Sequence, residues 1–301
     1  MNFASAEFPA AQAAAAPVGE LADSTPWLGM PRALKARLER DGYVLLRGAL
    51  DPAAVQAARG EVMGRLAAVG EVAEPAIDGI PTGTSRRDEL APDRGAFWRS
   101  VCEGRALRAL THRGALGAIA AEILGENSVA FDFLWLRAMV GGRATPLHFD
   151  HSYMNRGSPR VLTAWIPLGD VPLDAGPIVV VENSHLAGDL IEAHRGRDVD
   201  RDAGYSGSFA GDAHSFAAER GARLLSADFR AGDVLIFGMF TLHGSLANAQ
   251  HRVRLSADMR WQPAADPRDE RWFGDPPPGH GGTSYGGVSG ARPLGSAAIR
   301  R

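Results

Sequence analysis

Between residues 252 and 261 hydrophobic and polar positions alternate one by one. Val253, Leu255, Ala257, Met259 and Trp261 form one set, and Arg254, Ser256, Asp258 and Arg260 the other. A period of two sends successive side chains to opposite faces, so the segment predicts a strand with one apolar and one charged face. Shorter β-rich runs, separated by Gly, Pro and Asp, occupy 129–139, 161–168, 177–182, 222–229 and 234–237. Helical spacing is confined to the first half of the chain. Residues 31–40 read as a helix with Pro31 in its first turn and Gly42 just past its end. Asp51 and Pro52 open a second helix, with Val55, Ala58, Val62 and Leu66 down one face. A third, 115–124, carries Leu116, Ile119 and Ile123 on one side before Gly125 stops it. Short strands with turn signals and few helices between them predict a mainly β fold, a sandwich or barrel with helices packed outside the sheet.

The stretch 185–221 interrupts this texture. It is polar, Gly-rich and aperiodic, and is longer than a plain turn, as lids and binding loops are. Residues 1–25 read as a flexible tail and 276–301, rich in Pro, Gly and Ser, as an irregular one. That leaves a single domain over 26–275 with a lid-like insertion at 186–221. Residues 1–19 are rich in Ala and Pro but lack the charged and long apolar regions of a secretory signal. No run of 18 or more apolar residues occurs, so no transmembrane helix is expected.

Composition narrows the chemistry. A formal net charge of -3 offers no basic footprint for nucleic acid. Lys35 is the sole lysine, so any carboxylate-binding duty falls to arginine, whose planar fork suits bidentate pairing. Cys102 is the only cysteine, which rules out an intramolecular disulfide and any cysteine-based metal cluster and suits a cytoplasmic location. Oligomeric state is not legible.

The candidate chemistry starts from His148-Phe149-Asp150 and His243. Two histidines and one carboxylate are the ligands of an open iron(II) site, holding one side of the metal and leaving the other free. In an extended segment His148 and Asp150 share a face, as do His243 and Ser245. Taken alone, a His-x-Asp tripeptide is weak evidence for a metal, because such histidines more often serve as hydrogen-bonding groups than as ligands. The charged face of 252–261 adds weight, because a buried arginine needs an anion. For Arg260 the reading is an ion pair with Asp258, and for Arg254 it is a bound anion. A histidine adjacent to the triad carboxylate, His151, has the wrong parity to share its face and is expected in the ligands' surroundings or the substrate pocket.

The chain resembles the phytanoyl-CoA dioxygenase family of Fe(II)/2-oxoglutarate-dependent oxygenases. The resemblance rests on the 148–150 tripeptide together with Trp165-Ile-Pro-Leu-Gly-Asp170, Asp174-Ala-Gly-Pro177, Asn183-Ser-His185, Gly232-Asp-Val-Leu-Ile-Phe237, Leu242-His-Gly-Ser245 and Arg254-Leu-Ser256. The earlier Asp41-Gly-Tyr-Val-Leu-Leu-Arg-Gly48 also looks familial. The resemblance implies a double-stranded β-helix core, of the jelly-roll or cupin-like kind. It implies His148, Asp150 and His243 as both catalytic residues and iron ligands, and 2-oxoglutarate contacts from Trp165, Ser245, Arg254 and, by sharing the face of Arg254, Ser256. Its cofactors would be Fe(II), 2-oxoglutarate and O₂, and its partner a small-molecule substrate such as a natural product or lipid-like metabolite. The reaction would be hydroxylation of an unactivated C–H bond, or desaturation, epoxidation or cyclisation, with release of succinate and CO₂. The upstream lysine that many members use has no counterpart, and 82–87 or Arg137 are the candidates to replace it. The rival readings are a metal-silent binding protein on the same barrel and a hydrolase on another metal, for which Arg254 has no evident purpose.

Of the other histidines, His185 reads as bonding a loop, and His194, His214 and His280 as solvated. The glycines of 279–290 lack the strand-to-helix context of a phosphate loop.

Overall fold

The computed structural model describes residues 18–209 and 211–294. Its first half runs β1 (Gly19–Glu20), α1 (Pro31–Asp41), β2 (Tyr43–Leu46), α2 (Pro52–Ala68), α3 (Arg87–Leu90), α4 (Arg94–Cys102), α5 (Arg105–His112) and α6 (Ala115–Leu124). The second half adds β3 (Ser128–Ala130), β4 (Trp135–Met139), β5 (Leu162–Pro167), β6 (Ile178–Val181), α7 (Gly188–His194), α8 (Ala213–Arg220), β7 (Leu224–Ser226), β8 (Val234–Gly238), β9 (His243–Ser245) and β10 (Arg254–Pro263). Local chemistry explains several boundaries. The Asp51 carboxylate accepts from the Ala53 N–H and Asp93 from Ala96, capping α2 and α4, each worth about 1 kcal/mol. Gly42, in the left-handed region at φ 79°, closes α1 and turns the chain into β2.

Two sheets form, one ordered β1-β7-β6-β9 and the other β2-β8-β5-β10-β3, with β4 also on β10. They face one another in the jelly-roll manner without closing into a barrel. Strand parity builds three layers. Val44, Leu46, Ala164, Ile166, Val234, Ile236, Leu255, Ala257 and Met259 pack the outer face of the larger sheet against Leu34, Val55, Val62, Leu107 and Ile119 of the helices. From the opposite face Leu45, Trp165, Leu235 and Phe237 meet Ile178, Val180 and Leu225 of the smaller sheet. Behind the smaller sheet, Val179, Val181 and Leu224 pack on Ile191 and Ala217 of α7 and α8. At about 1.5–3 kcal/mol for each large side chain buried, these seams fix the register of the strands between them.

Several expectations are corrected. The run 129–139 is not one strand. Ala130 pairs with Trp261 and Trp135 with Asp258, so the chain between them has two more residues than the facing stretch of β10 can pair. Phe131, Phe133 and Leu134 use the excess to reach the core, and the Asp132 and Phe133 N–H groups bond the Trp272 carbonyl instead. Helices α3 to α5 were not anticipated, although Asp93 supplied a start signal. Of the segment expected as an N-terminal tail, 1–17 lies outside the described residues, while Gly19–Glu20 pairs in parallel with β7 and Leu21 is buried. The insertion expected to be aperiodic holds α7 and α8.

The correction with most consequence is at the C-terminus. Through residue 294 the segment expected to be an irregular tail winds through short 3-10 turns and packs against the core. Tyr285 stacks on Phe133 with ring centroids 4.2 Å apart, and Ala291 and Leu294 are buried. Gly290 lies so close to the Trp98 indole that even a methyl group there would force the ring or the chain to shift. Among the described residues no helix is long and apolar enough to cross a membrane.

Candidate metal centre

His148 and His243 come from different segments and are locked side by side by the backbone. His148 N–H donates to the His243 carbonyl at 2.9 Å, and His243 N–H returns the bond at 3.2 Å. This is the hydrogen-bonded antiparallel pair, in which the two facing residues send their side chains to the same side of the sheet, here with ring centroids 4.3 Å apart. Leu147 and Phe149 turn the other way, into the apolar cluster beneath α7 and α8. Phe149 is extended at φ -98°, ψ 132°, so Asp150 points back to the side of His148 before a 3-10 turn begins.

The imidazoles are oriented by the main chain. Nδ1 of His148 faces the Pro146 carbonyl and Nδ1 of His243 the Thr241 carbonyl, each at 2.9 Å. A carbonyl only accepts, so each Nδ1 carries the hydrogen and each Nε2 presents its lone pair. Asp150 Oδ1 lies 3.7 Å from the first Nε2 and 3.9 Å from the second. One ligand atom from each of the three buried residues falls within 4.8 Å of the others. Burial, followed by the neighbouring His243, pushes His148 down to about 3, and burial also lowers His243, so both rings are neutral as a ligand must be.

Asp150 is held by more than parity. Arg260 Nη2 donates to both its oxygens, at 3.0 and 3.2 Å, and the Thr163 hydroxyl donates to Oδ2. Burial acts to raise the pKa of Asp150, but the Arg260 charge, aided by the Thr163 bond, overrides it and holds the carboxyl below its ordinary range. Arg260 in turn lies over the Trp135 ring at 4.2 Å. The expected Arg260–Asp258 pair is therefore secondary, with 4.0 Å between side chains, because Asp258 is engaged by Arg137 Nε at 2.7 Å. The clue was present in the sequence, since Arg260 lies on the same strand face as Arg254, and Thr163 shares the parity of Trp165.

The other anticipated residues gather around this centre. A narrow pocket runs from His148 and His243 past Trp165, Gly244 and Ser245 to Arg254. Arg254 donates through Nη1 to Ser256 Oγ at 2.7 Å, while its Nε and Nη2 are buried without a hydrogen-bond partner among the described residues. Burial lowers its pKa to about 10, still far above neutrality, so it stays a cation lacking an anion. Ser256 lies against Arg254 rather than on the pocket wall, and Ser245 Oγ accepts from the Thr145 N–H at 2.8 Å. Two imidazole nitrogens and one carboxylate suit a divalent first-row metal, and the unmet Arg254 donors suit a carboxylate next to it. The donor set thus fits iron(II) with a dicarboxylate beside it.

The remaining candidates separate. Arg87 of 82–87 is spent on Glu71 at 2.6 Å and on C-terminal carbonyls, whereas Arg137 lines both the narrow pocket and a wider cavity of about 150 Å³ over His148 and Asp150. His151 points away, stacked on Phe240 at 4.4 Å with Nε2 accepting from the Gly196 N–H. His185 bonds the Glu39 carbonyl at 3.2 Å. Contrary to expectation His194 is packed on Phe149 and Phe209, and His280 lines the wide cavity, bonded to Asp200 at 2.9 Å. Val288 and Ser289 of the C-terminal segment and Ser208 of the insertion complete its wall. No period in the sequence marked these residues.

A two-sheet core holding a buried His-Asp-His set beside an arginine that has no carboxylate partner among the described residues defines an iron(II)/2-oxoglutarate-dependent oxygenase, which takes Fe(II), 2-oxoglutarate and O₂. The chain belongs to the phytanoyl-CoA dioxygenase family, whose model matches residues 38–256. It is 30% identical over 264 residues to a 1-deoxypentalenic acid 11-beta-hydroxylase of Streptomyces exfoliatus, covering 83% of this chain and 88% of the relative. The Streptomyces arenae enzyme of the same name is 29% identical over 259 residues, with 83% of this chain and 87% of the relative covered. Among solved structures, the carbocyclase SnoK from nogalamycin biosynthesis superposes with a TM-score of 0.56 at 19% identity, covering 91% of this chain and 96% of its own. The epimerase SnoN, solved with Fe3+, alpha-ketoglutarate and a nogalamycin compound, gives 0.54 at 22% identity, with 91% and 94% covered. At those identities the structural likeness concerns the fold.

Proposed function

We propose that this enzyme hydroxylates an unactivated C–H bond of a small natural product, with release of succinate and CO₂. His148, Asp150 and His243 hold the iron and are the catalytic set. Arg254, steadied by Ser256, pairs with the distal carboxylate of 2-oxoglutarate, and Trp165 and Ser245 wall the cosubstrate pocket. The observation that carries this reading is the pair of unmet, buried Arg254 donors opening on the same narrow pocket as both histidines. The relatives named for hydroxylation of 1-deoxypentalenic acid support a natural-product substrate.

Bound iron(II), together with 2-oxoglutarate and O₂, supplies an oxidant able to attack an unactivated C–H bond. The chain's own contribution is placement. The two Nδ1–carbonyl bonds fix the imidazole tautomer, and Arg260 and Thr163 hold Asp150 as a charged carboxylate. As the third protein ligand to a bound iron, Asp150 would occupy the place that a halide takes where that residue is small, which favours hydroxylation over halogenation. Strands of the larger sheet and the C-terminal segment wall the cavity beside the reacting centre.

The test is substrate-stimulated succinate release across a panel of metabolites, with Fe(II) and 2-oxoglutarate required and His148→Ala inactive. Anaerobic addition of Fe(II) and 2-oxoglutarate to the wild type should also give a weak visible charge-transfer band. Robust turnover under strict exclusion of iron, or no band at saturating cosubstrate, overturns the assignment.

A further inference from the structure

We infer that Arg137 anchors a carboxylate on the substrate, so that the enzyme acts on an apolar carboxylic acid. The inference rests on the iron/2-oxoglutarate reading and deepens it by naming the substrate class. Arg137 lies on β4 opposite Ser256 of β10, which puts its side chain on the inner face with the other buried charges. Among the described residues it is the one arginine that lines both the narrow pocket and the wide cavity over His148 and Asp150.

Its guanidinium is only partly used. Nε donates to Asp258 Oδ2 at 2.7 Å, while the two terminal nitrogens have no hydrogen-bond partner among the described residues. The side chain keeps 23% exposure, in contrast to the 1% of Arg260, so the free edge of the fork opens on the cavity. Two parallel N–H donors on a rigid plane match a carboxylate.

Charge balance gives the same sign. Arg137, Arg254 and Arg260 face Asp150 and Asp258, which leaves one positive charge in excess on the inner face, where all but the half-buried Arg137 are buried. Iron(II) and the 2-oxoglutarate dianion cancel one another, and the two histidines are neutral. One cation therefore waits for an anion. Among the described residues Asp150 is the only carboxylate on the cavity wall, and Asp198, Asp200 and Asp269 are taken up by Arg156, Arg271 and His280. The rest of the wall is dominated by Trp135, Leu136, Met139, Met154 and Val288, which fits an apolar body behind the acid group. An amine in this cavity would meet an unbalanced guanidinium.

The competing source of the same chemistry is a carboxylate of the cosubstrate. Both are tested with the anaerobic Fe(II)·2-oxoglutarate complex, by its charge-transfer band, using decanoic acid and adamantane-1-carboxylic acid against their methyl esters as probes. The wild type is expected to bind at least one acid about tenfold more tightly than its ester. Arg137→Gln should reduce that preference to about twofold or less, with the 2-oxoglutarate dissociation constant moving less than about threefold. Arg137→Lys, which keeps a cation beside Asp258 but not the fork, should retain an intermediate preference and carries the test if the neutral variant does not fold. The inference is overturned if wild type binds no acid better than its ester, if the preference survives in both variants, or if the 2-oxoglutarate constant moves as far as the acid's. Absence of the band in wild type instead defeats the underlying iron/2-oxoglutarate reading.

Discussion

Replacing Arg260 by Met should destabilise the metal-free protein about twice as much as the metal-loaded one. The guanidinium is 1% exposed and donates to both oxygens of an Asp150 side chain that is 2% exposed. Met fills much of the stem's volume over Trp135 but supplies no charge, leaving Asp150 with Thr163 and two neutral imidazoles. Removing one partner of a buried pair costs about 3–5 kcal/mol, and the Thr163 bond that remains argues for the lower end, about 3 kcal/mol. For a chain of this length that is a fall of about 6 °C in Tm, at roughly 2 °C per kcal/mol. A bound divalent ion returns a cation to the same carboxylate, so saturating anaerobic Fe(II) should recover about half the loss. By the closed cycle, the 1.5 kcal/mol or so recovered must reappear as roughly tenfold tighter Fe(II) binding to the variant. Anaerobic scanning fluorimetry with and without Fe(II), and a direct titration, measure both sides. A metal-free Tm within about 1 °C of wild type, or equal losses in the two forms, would refute the claim that Arg260 works through Asp150.

Three further outcomes are expected. Arg254→Met should raise the 2-oxoglutarate dissociation constant at least about tenfold while Fe(II) binding changes little, and equal weakening of both would show Arg254 to be part of the metal set instead. His112 is buried against Arg108, and burial first, then that charge, pushes its pKa down to about 3. The unfolded chain therefore binds the extra proton between about pH 6.5 and 3, so the neutral ring's contribution is intact above 6.5 and is lost as pH falls, about 2 kcal/mol by pH 5. Denaturation curves at pH 7.5 and 5 should accordingly show His112→Gln losing less stability on acidification than wild type. Gly290→Ala drives a methyl into the Trp98 indole and should cost about 1–3 kcal/mol, with increased proteolysis after residue 282 as the C-terminal segment undocks; an unchanged Tm and digestion pattern would place that segment's anchorage elsewhere.

Much of the larger sheet was readable because β10 obeys a strict period of two: its apolar set lies in the helix-side core and its charged set on the inner face. The parity that put His148 and Asp150 on one face held for the same reason, since both are separated by a single extended residue. Helix ends at Gly42 and Gly125 were legible because each adopts the left-handed conformation that a glycine signals. Legibility failed where partners are distant in sequence. Arg260 was given to its strand neighbour Asp258, because sequence distance favoured two residues over the 110 that separate it from Asp150. The wall formed by His280, Val288 and Ser289 was missed because irregular backbone buries its side chains without any period.

The sequence by itself determined the class of chemistry, through the ligand types and their parity, the familial order of blocks, and an arginine on a face where it needed an anion. Only the tertiary structure decided which atoms meet. The His148–His243 backbone pair, the Arg260 and Thr163 grip on Asp150, the free fork of Arg137 and the C-terminal wall all join segments far apart in the chain. The physical reason is that periodicity records which face a side chain takes relative to its own strand, whereas a buried charge chooses its partner by distance across the packed sheets.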